Sequence, residues 1–198
     1  MLTAISRKLS SFFISKGDIT EEERETYDYC FEIFLSTVLN GVFLLAAGLI
    51  SGKFIYTLLF MFSFILFRSV SGGFHANSHI KCFFTLVCVY AVFLCFLYFA
   101  SQNILLVFSI VFTLSGSIMI YFLSPMEHPN NPLDDDLRDK LSKKAKWSTV
   151  VFSITVILFI VFTKYYTAVF CLTYGMFSVA VSIVSVKLLS SKKAEEKA

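Results

Sequence analysis

The chain has 198 residues, 57% of them apolar, with 24 phenylalanines, a mean hydropathy of +0.75 and a formal net charge of +3. A soluble domain of this length cannot hide so much apolar surface in its core, which excludes an ordinary soluble enzyme and makes the chain a polytopic, all-α membrane protein. Neither the small charge excess nor any motif points to a nucleic-acid partner.

Residues 1–26 form the first element. Leu2, Ile5, Leu9, Phe12 and Phe13 recur at helical spacing but are interrupted by Ser, Arg and Lys. No short apolar stretch with a small-residue cleavage site follows, so the reading is an amphipathic helix on the inner membrane surface rather than a secretory signal. The run DITEEERE then marks a helix start, with Thr20 as N-cap and Glu23 completing a capping box.

Six apolar stretches follow, at about Tyr27–Ile50, Phe54–Val70, Cys82–Ala100, Ile104–Leu123, Trp147–Phe162 and Tyr165–Leu189. Roughly 20 apolar residues cross a bilayer as a helix. The fifth stretch is short, and Trp147, Tyr165 and Tyr166 anchor its ends at the two interfaces. With the N-terminus inside, the first and fifth connections hold one basic residue each, Lys53 and Lys164, and the third holds none. All other Lys and Arg fall on the opposite side, so both termini are expected in the cytoplasm. The whole of 1–198 reads as one integral membrane domain, in contact with lipid.

The connection 124–146 has its own helical signals. Asn131 suits an N-cap and Pro132 the first helical position. Asp134–Asp136 and the lysines Lys143, Lys144 and Lys146 complement the two ends of the helix dipole. Leu133, Leu137 and Leu141 make an apolar stripe. His128 reads as a solvated loop residue.

Chemistry concentrates in FRSVSGGFHANSHIKCFF, Phe67 to Phe84, at the edge of the third span. Cys30, Cys88, Cys95 and Cys171 sit inside apolar runs and read as small hydrophobes. Cys82 differs, because it follows Lys81 at an interface, where cationic neighbours favour the thiolate. On the cytoplasmic side it stays reduced. A continuous helix would hold His75 and Cys82 about 10 Å apart along its axis, beyond the roughly 3 Å of a nucleophile–base pair. His79 lies one turn from Cys82, so helical geometry favours it as the base. Gly72–Gly73 and Asn77–Ser78 give the backbone places to turn His75 back.

The element Arg68-Ser-Val-Ser-Gly72-Gly73-Phe-His75-Ala76, the cysteine seven residues later, and SPMEHPNNPL from Ser124 to Leu133 together resemble the accessory gene regulator B (AgrB) family of Gram-positive quorum sensing. The likeness covers nearly the whole chain, including the polar Glu32 in the first span and the basic tail. It implies a membrane cysteine endopeptidase with His75 and Cys82 as the catalytic pair and no cofactor. The implied substrate is an AgrD-like propeptide, cut on the C-terminal side of its signal and released as a macrocyclic thiolactone or lactone. A homodimer is a further family expectation.

Supporting roles then fall to Arg68, to the Gly72–Gly73 turn, to Glu32, as imidazole orienter or ion-pair partner of Arg68, and to Lys143, Lys144 and Lys146. The lysines would grip an acidic propeptide tail or touch anionic lipid. Two other classes compete. His75, His79 and Cys82 could ligate zinc, although the resemblance implies no metal. A peptide transporter would place ionisable groups near the bilayer midplane, whereas the clear ones here gather at an edge.

Overall fold

The computed structural model describes residues 2–71, 79–125 and 135–195, and these are helical throughout apart from short connections. The helices are α1 (Leu2–Lys16), α2 (Arg24–Ile50), α3 (Phe54–Ser71), α4 (His79–Phe99), α5 (Gln102–Leu123), α6 (Asp135–Phe162) and α7 (Tyr166–Glu195), with a 3₁₀ turn at Glu21–Glu23 leading into α2. Five of them are long and apolar enough to cross a membrane, and α4 adds the apolar run Phe83–Phe99. The six apolar stretches expected from the sequence therefore fall on α2 to α7, all but α4 being among the five.

The expected capping signal operates. The Glu23 carboxylate accepts from the Thr20 amide at 3.1 Å and from its hydroxyl at 2.9 Å. Gly17, at φ +79°, reverses the chain ahead of it, a left-handed conformation that glycine adopts without a Cβ clash. The reversal lays α1 back along the start of α2. Thr3 donates to Glu32 at 3.0 Å, Arg24 donates to Ser11 at 2.6 Å, and the Phe13 and Phe31 rings stack at 5.6 Å. Ser6 and Ser10 are fully buried, whereas Ile5 and Phe12 face outward. The amphipathic helix expected from the sequence thus turns Ile5 and Phe12 to its surroundings and packs on α2 through Ser6, Ser10 and the ring of Phe13.

Small residues also set the main bundle. In a lipid environment no hydrophobic force drives helices together, so close backbone approach and interhelical hydrogen bonds matter more. A Cβ on Gly175 of α7 would stand 2.7 Å from the Phe60 carbonyl oxygen and 3.0 Å from the Phe64 nitrogen of α3. The Ser63 hydroxyl donates across the same contact to the Leu172 carbonyl. Gly48 on α2 is equally tight against Thr57 on α3. Gly175→Ala should therefore lower the melting temperature in detergent, by about 1–3 kcal/mol of overpacking strain. Gly41→Ala is the control, since its Cβ would meet only the Met61 Cε, at 3.8 Å. Equal melting temperatures for the two variants would contradict the close approach.

The core divides along the bundle axis. One cluster joins Phe60, Tyr90, Phe93, Phe112, Phe170 and Tyr174, and is dense in aromatic pairs such as Phe60–Phe93 at 5.0 Å. Tyr90 and Thr57 share a hydroxyl hydrogen bond of 2.8 Å, and Tyr174 donates to the Val89 carbonyl at 2.9 Å. These contacts fix the far half of α4. The second cluster, at the end where α3 finishes and α6 starts, joins Phe67 and Val70 of α3, Ile120 of α5, Ala145 of α6 and Met176, Val179, Ala180 and Ile183 of α7. Among the described residues α4 gives it no member.

One boundary differs from expectation. The sequence divides a cytoplasmic connection from a fifth span at Lys146–Trp147, but α6 runs through that point without a break. Nothing between Asp135 and Phe162 is Gly or Pro, so the polarity changes while the helix does not. Its expected start at Asn131–Pro132 lies outside the described residues.

Candidate active site at one end of the bundle

Three chain segments meet the motif end. The last turns of α3 bring Phe67, Val70 and Ser71, all buried, up to the Gly-Gly element. Arg68 sits between them, half-buried, in the last turn, where a cation complements the helix dipole. Its guanidinium carbon lies 5.8 Å from the centre of the Phe64 ring. Gly72, Gly73 and His75 lie outside the described residues. Cys82 belongs to the first turn of α4, three residues after His79, with both side chains outside the description. The next residues are described: Phe83 packs edge-on against Phe43 of α2 at 5.1 Å, and Phe84 is 61% exposed.

The supporting residues separate by position. Glu32 of α2 accepts a hydrogen bond from the Thr3 hydroxyl of the N-terminal helix at 3.0 Å, a bond that leaves its carboxylate able to take further partners. Lys146 is half-buried with its Nζ 5.3 Å over the Tyr121 ring, tying α6 to α5. Lys143 and Lys144 are exposed. The lysine trio is thus one structural cation and two free to meet a charged partner.

Of the other cysteines, Cys171 is buried, and Cys30, Cys88 and Cys95 are exposed. Among the described residues no group of His, Cys, Asp and Glu gathers to hold a metal, and the candidate trio His75, His79 and Cys82 lies outside that search. Sequence reasoning passed over Ser71 and Ser124. Both are buried at this end with hydroxyls that have no partner among the described residues, and only their proximity to the two motifs could have drawn attention to them.

A family model described as Accessory gene regulator B matches residues 6–186, from within α1 to within α7. The chain belongs to the AgrB family. Among curated proteins, the Putative AgrB-like protein 2 of Clostridium perfringens (strain 13 / Type A) is 26% identical over 151 residues, covering 73% of this chain and 70% of that protein. No solved structure matches. As an AgrB protein it takes part in the agr quorum-sensing system, within a family of membrane processing enzymes whose substrate is an AgrD-like propeptide. All seven helices fall within or overlap the matched region.

Proposed function

We propose that this AgrB protein is a cysteine endopeptidase that cuts its propeptide by acyl transfer to Cys82 at the cytoplasmic edge of the membrane. The observation that carries the reading is the family match across residues 6–186, which includes the Gly72–Gly73–Phe74–His75 element and Cys82 on the helix that follows it. The Cys82 thiolate attacks the carbonyl carbon C-terminal to the signal, the C–N bond breaks, and His75 passes the proton to the departing amine. A thiol or hydroxyl inside the propeptide, giving its proton to the now neutral His75, then attacks the thioester carbonyl. Cys82 leaves as thiolate, and the signal is freed as a thiolactone or lactone ring.

The position of Cys82 suits this work. The first N–H groups of a helix lack intrahelical partners and carry the positive end of its dipole. A thiol in the first turn of α4 is therefore placed where its thiolate is favoured. The same N–H groups are candidates to hold the oxyanion of the tetrahedral intermediate. Lys143 and Lys144, exposed on the helix that starts at this end, are the cations available to an acidic propeptide tail.

The test uses the full-length protein in lipid nanodiscs with a synthetic propeptide. Thiol alkylation should stop cleavage, while a zinc chelator should leave it unchanged. Loss of activity on chelation, with full activity after alkylation, would replace the peptidase reading by a metal site.

A further inference from the structure

Most hydroxyls within these helices donate to a carbonyl one turn back. Ser109 does so to Leu105 at 2.7 Å, Thr113 to Ser109 at 2.7 Å, Thr149 to Ala145 at 2.8 Å and Ser178 to Tyr174 at 2.7 Å. In an apolar setting this bond is the easiest way to satisfy a buried serine or threonine. Ser71 and Ser124 depart from the habit. Ser71 is fully buried and Ser124 is 8% exposed, yet neither Oγ has a partner among the described residues. The Ser124 amide donates to the Ile120 carbonyl at 3.0 Å, so its main chain is satisfied and only the hydroxyl is left over. A buried hydroxyl without a partner costs stability, and such an exception calls for a reason.

The two serines share a location. Ser71 lies one turn beyond Phe67 on α3, and Ser124 lies four residues beyond Ile120 at the end of α5. Phe67 and Ile120 are fully buried members of one cluster, completed by α6 and α7. Both hydroxyls therefore continue the same core towards the motif end, one directly before Gly72–Gly73 and the other at the head of the Ser124–Pro125 connection. On the described residues α4 is absent from this cluster and is held instead by Leu86, Tyr90 and Phe93 in the other one. The helix that carries Cys82 starts at the same end of the bundle as the two serine-bearing helix ends.

We propose that Ser71 and Ser124 are substrate-positioning residues, whose hydroxyls hydrogen-bond the main chain of the propeptide beside the bond cut at Cys82. The proposal rests on the reading of Cys82 as nucleophile. A peptide drawn to a membrane-edge site loses water from its N–H and C=O groups, each of which must then be satisfied by protein. A hydroxyl donates one hydrogen bond and accepts others, so a pair of them serves either main-chain group. Being neutral, they hold the backbone without competing for the acidic tail that Lys143 and Lys144 face.

The experiment measures binding and turnover separately, with full-length protein in nanodiscs. Binding of a fluorescent synthetic propeptide is read on the Cys82→Ala background, where no chemistry intervenes. Ser71→Ala and Ser124→Ala should each weaken it about threefold to tenfold, the worth of one net hydrogen bond. In the active protein the loss should appear in KM rather than in kcat. Melting temperature should hold or rise, because the deleted hydroxyl had no partner in the free protein. Unchanged binding and KM would overturn the proposal and leave the hydroxyls to a buried water. A lowered melting temperature with kcat reduced at unchanged KM would also overturn it, in favour of a structural bond to the chain itself. Cleavage that survives alkylation of Cys82 is a distinct failure: it removes the nucleophile reading, and a positioning role defined by that bond falls with it.

Discussion

Cys82→Ala and His75→Ala should each abolish propeptide cleavage, by at least about a thousandfold, the scale on which removal of a nucleophile or its base is felt, and should leave insertion and melting temperature near those of the unaltered protein. Stability is expected to be spared because both residues fall at a membrane interface rather than inside an apolar run. His79→Ala is the discriminating third variant. His79 opens α4 three residues before Cys82, at the spacing of one helical turn, so local geometry alone makes it the nearer base. The family resemblance instead assigns the base to His75. Cleavage assayed by mass spectrometry of the released tail decides between them: an inactive His79→Ala protein beside an active His75→Ala protein would reverse the assignment. Cys30, Cys88, Cys95 and Cys171 changed singly to Ala should all retain cleavage, and Cys171, buried between α7 and its neighbours, is the one expected to cost stability.

The elements most legible in the sequence were those set by polarity over a long window. The apolar stretches became α2 to α7 because a helix is the way an isolated membrane segment satisfies its own backbone. The limits of that signal show at α6. Composition changes at Lys146–Trp147, but helices end at breakers, and 135–162 contains none. The packing of α1 was hidden for another reason. In the sequence its serines only interrupt the apolar residues, yet Ser6 and Ser10 are fully buried where α1 lies along α2. Their hydroxyls donate to Thr3 and Ser6 carbonyls within α1, so they are small and internally satisfied, which suits a close helix contact.

At the site, spacing and residue type pointed to Cys82 and to a choice of histidines, since those are local chemical facts. The burial of Ser71 and Ser124 was not local. The described core that leads up to them draws Phe67 and Val70 of α3 together with residues of α5, α6 and α7, and no short window of sequence contains that. Gly175 is a similar case. A glycine in an apolar helix has no distinguishing pattern until the facing backbone, Phe60 to Phe64, is seen against it.

A propeptide whose ring-forming residue is replaced by Ala should still lose its tail but stall on the enzyme, with a peptide mass on Cys82 that hydroxylamine removes. Exchange of an amide for a thioester is unfavourable, so departure of the tail must draw the first step forward. Ring closure then passes the acyl group from one thioester to another, near balance, when the acceptor is a thiol. For the signal to survive, water must be a poor competitor at this stage. The residues after Cys82 favour that outcome. Phe83 closes against Phe43 of α2, and Phe84 presents an exposed apolar ring beside it, at a centroid distance of 5.9 Å. Phe83→Ser should accordingly shorten the life of the adduct and raise the share of linear acid, with little change in the first cut. Intact-protein mass spectrometry over time reads both quantities. Rapid multiple turnover of the ring-less propeptide to free linear acid, with no adduct at any time point, would make water the normal acceptor and remove cyclisation from the proposed reaction.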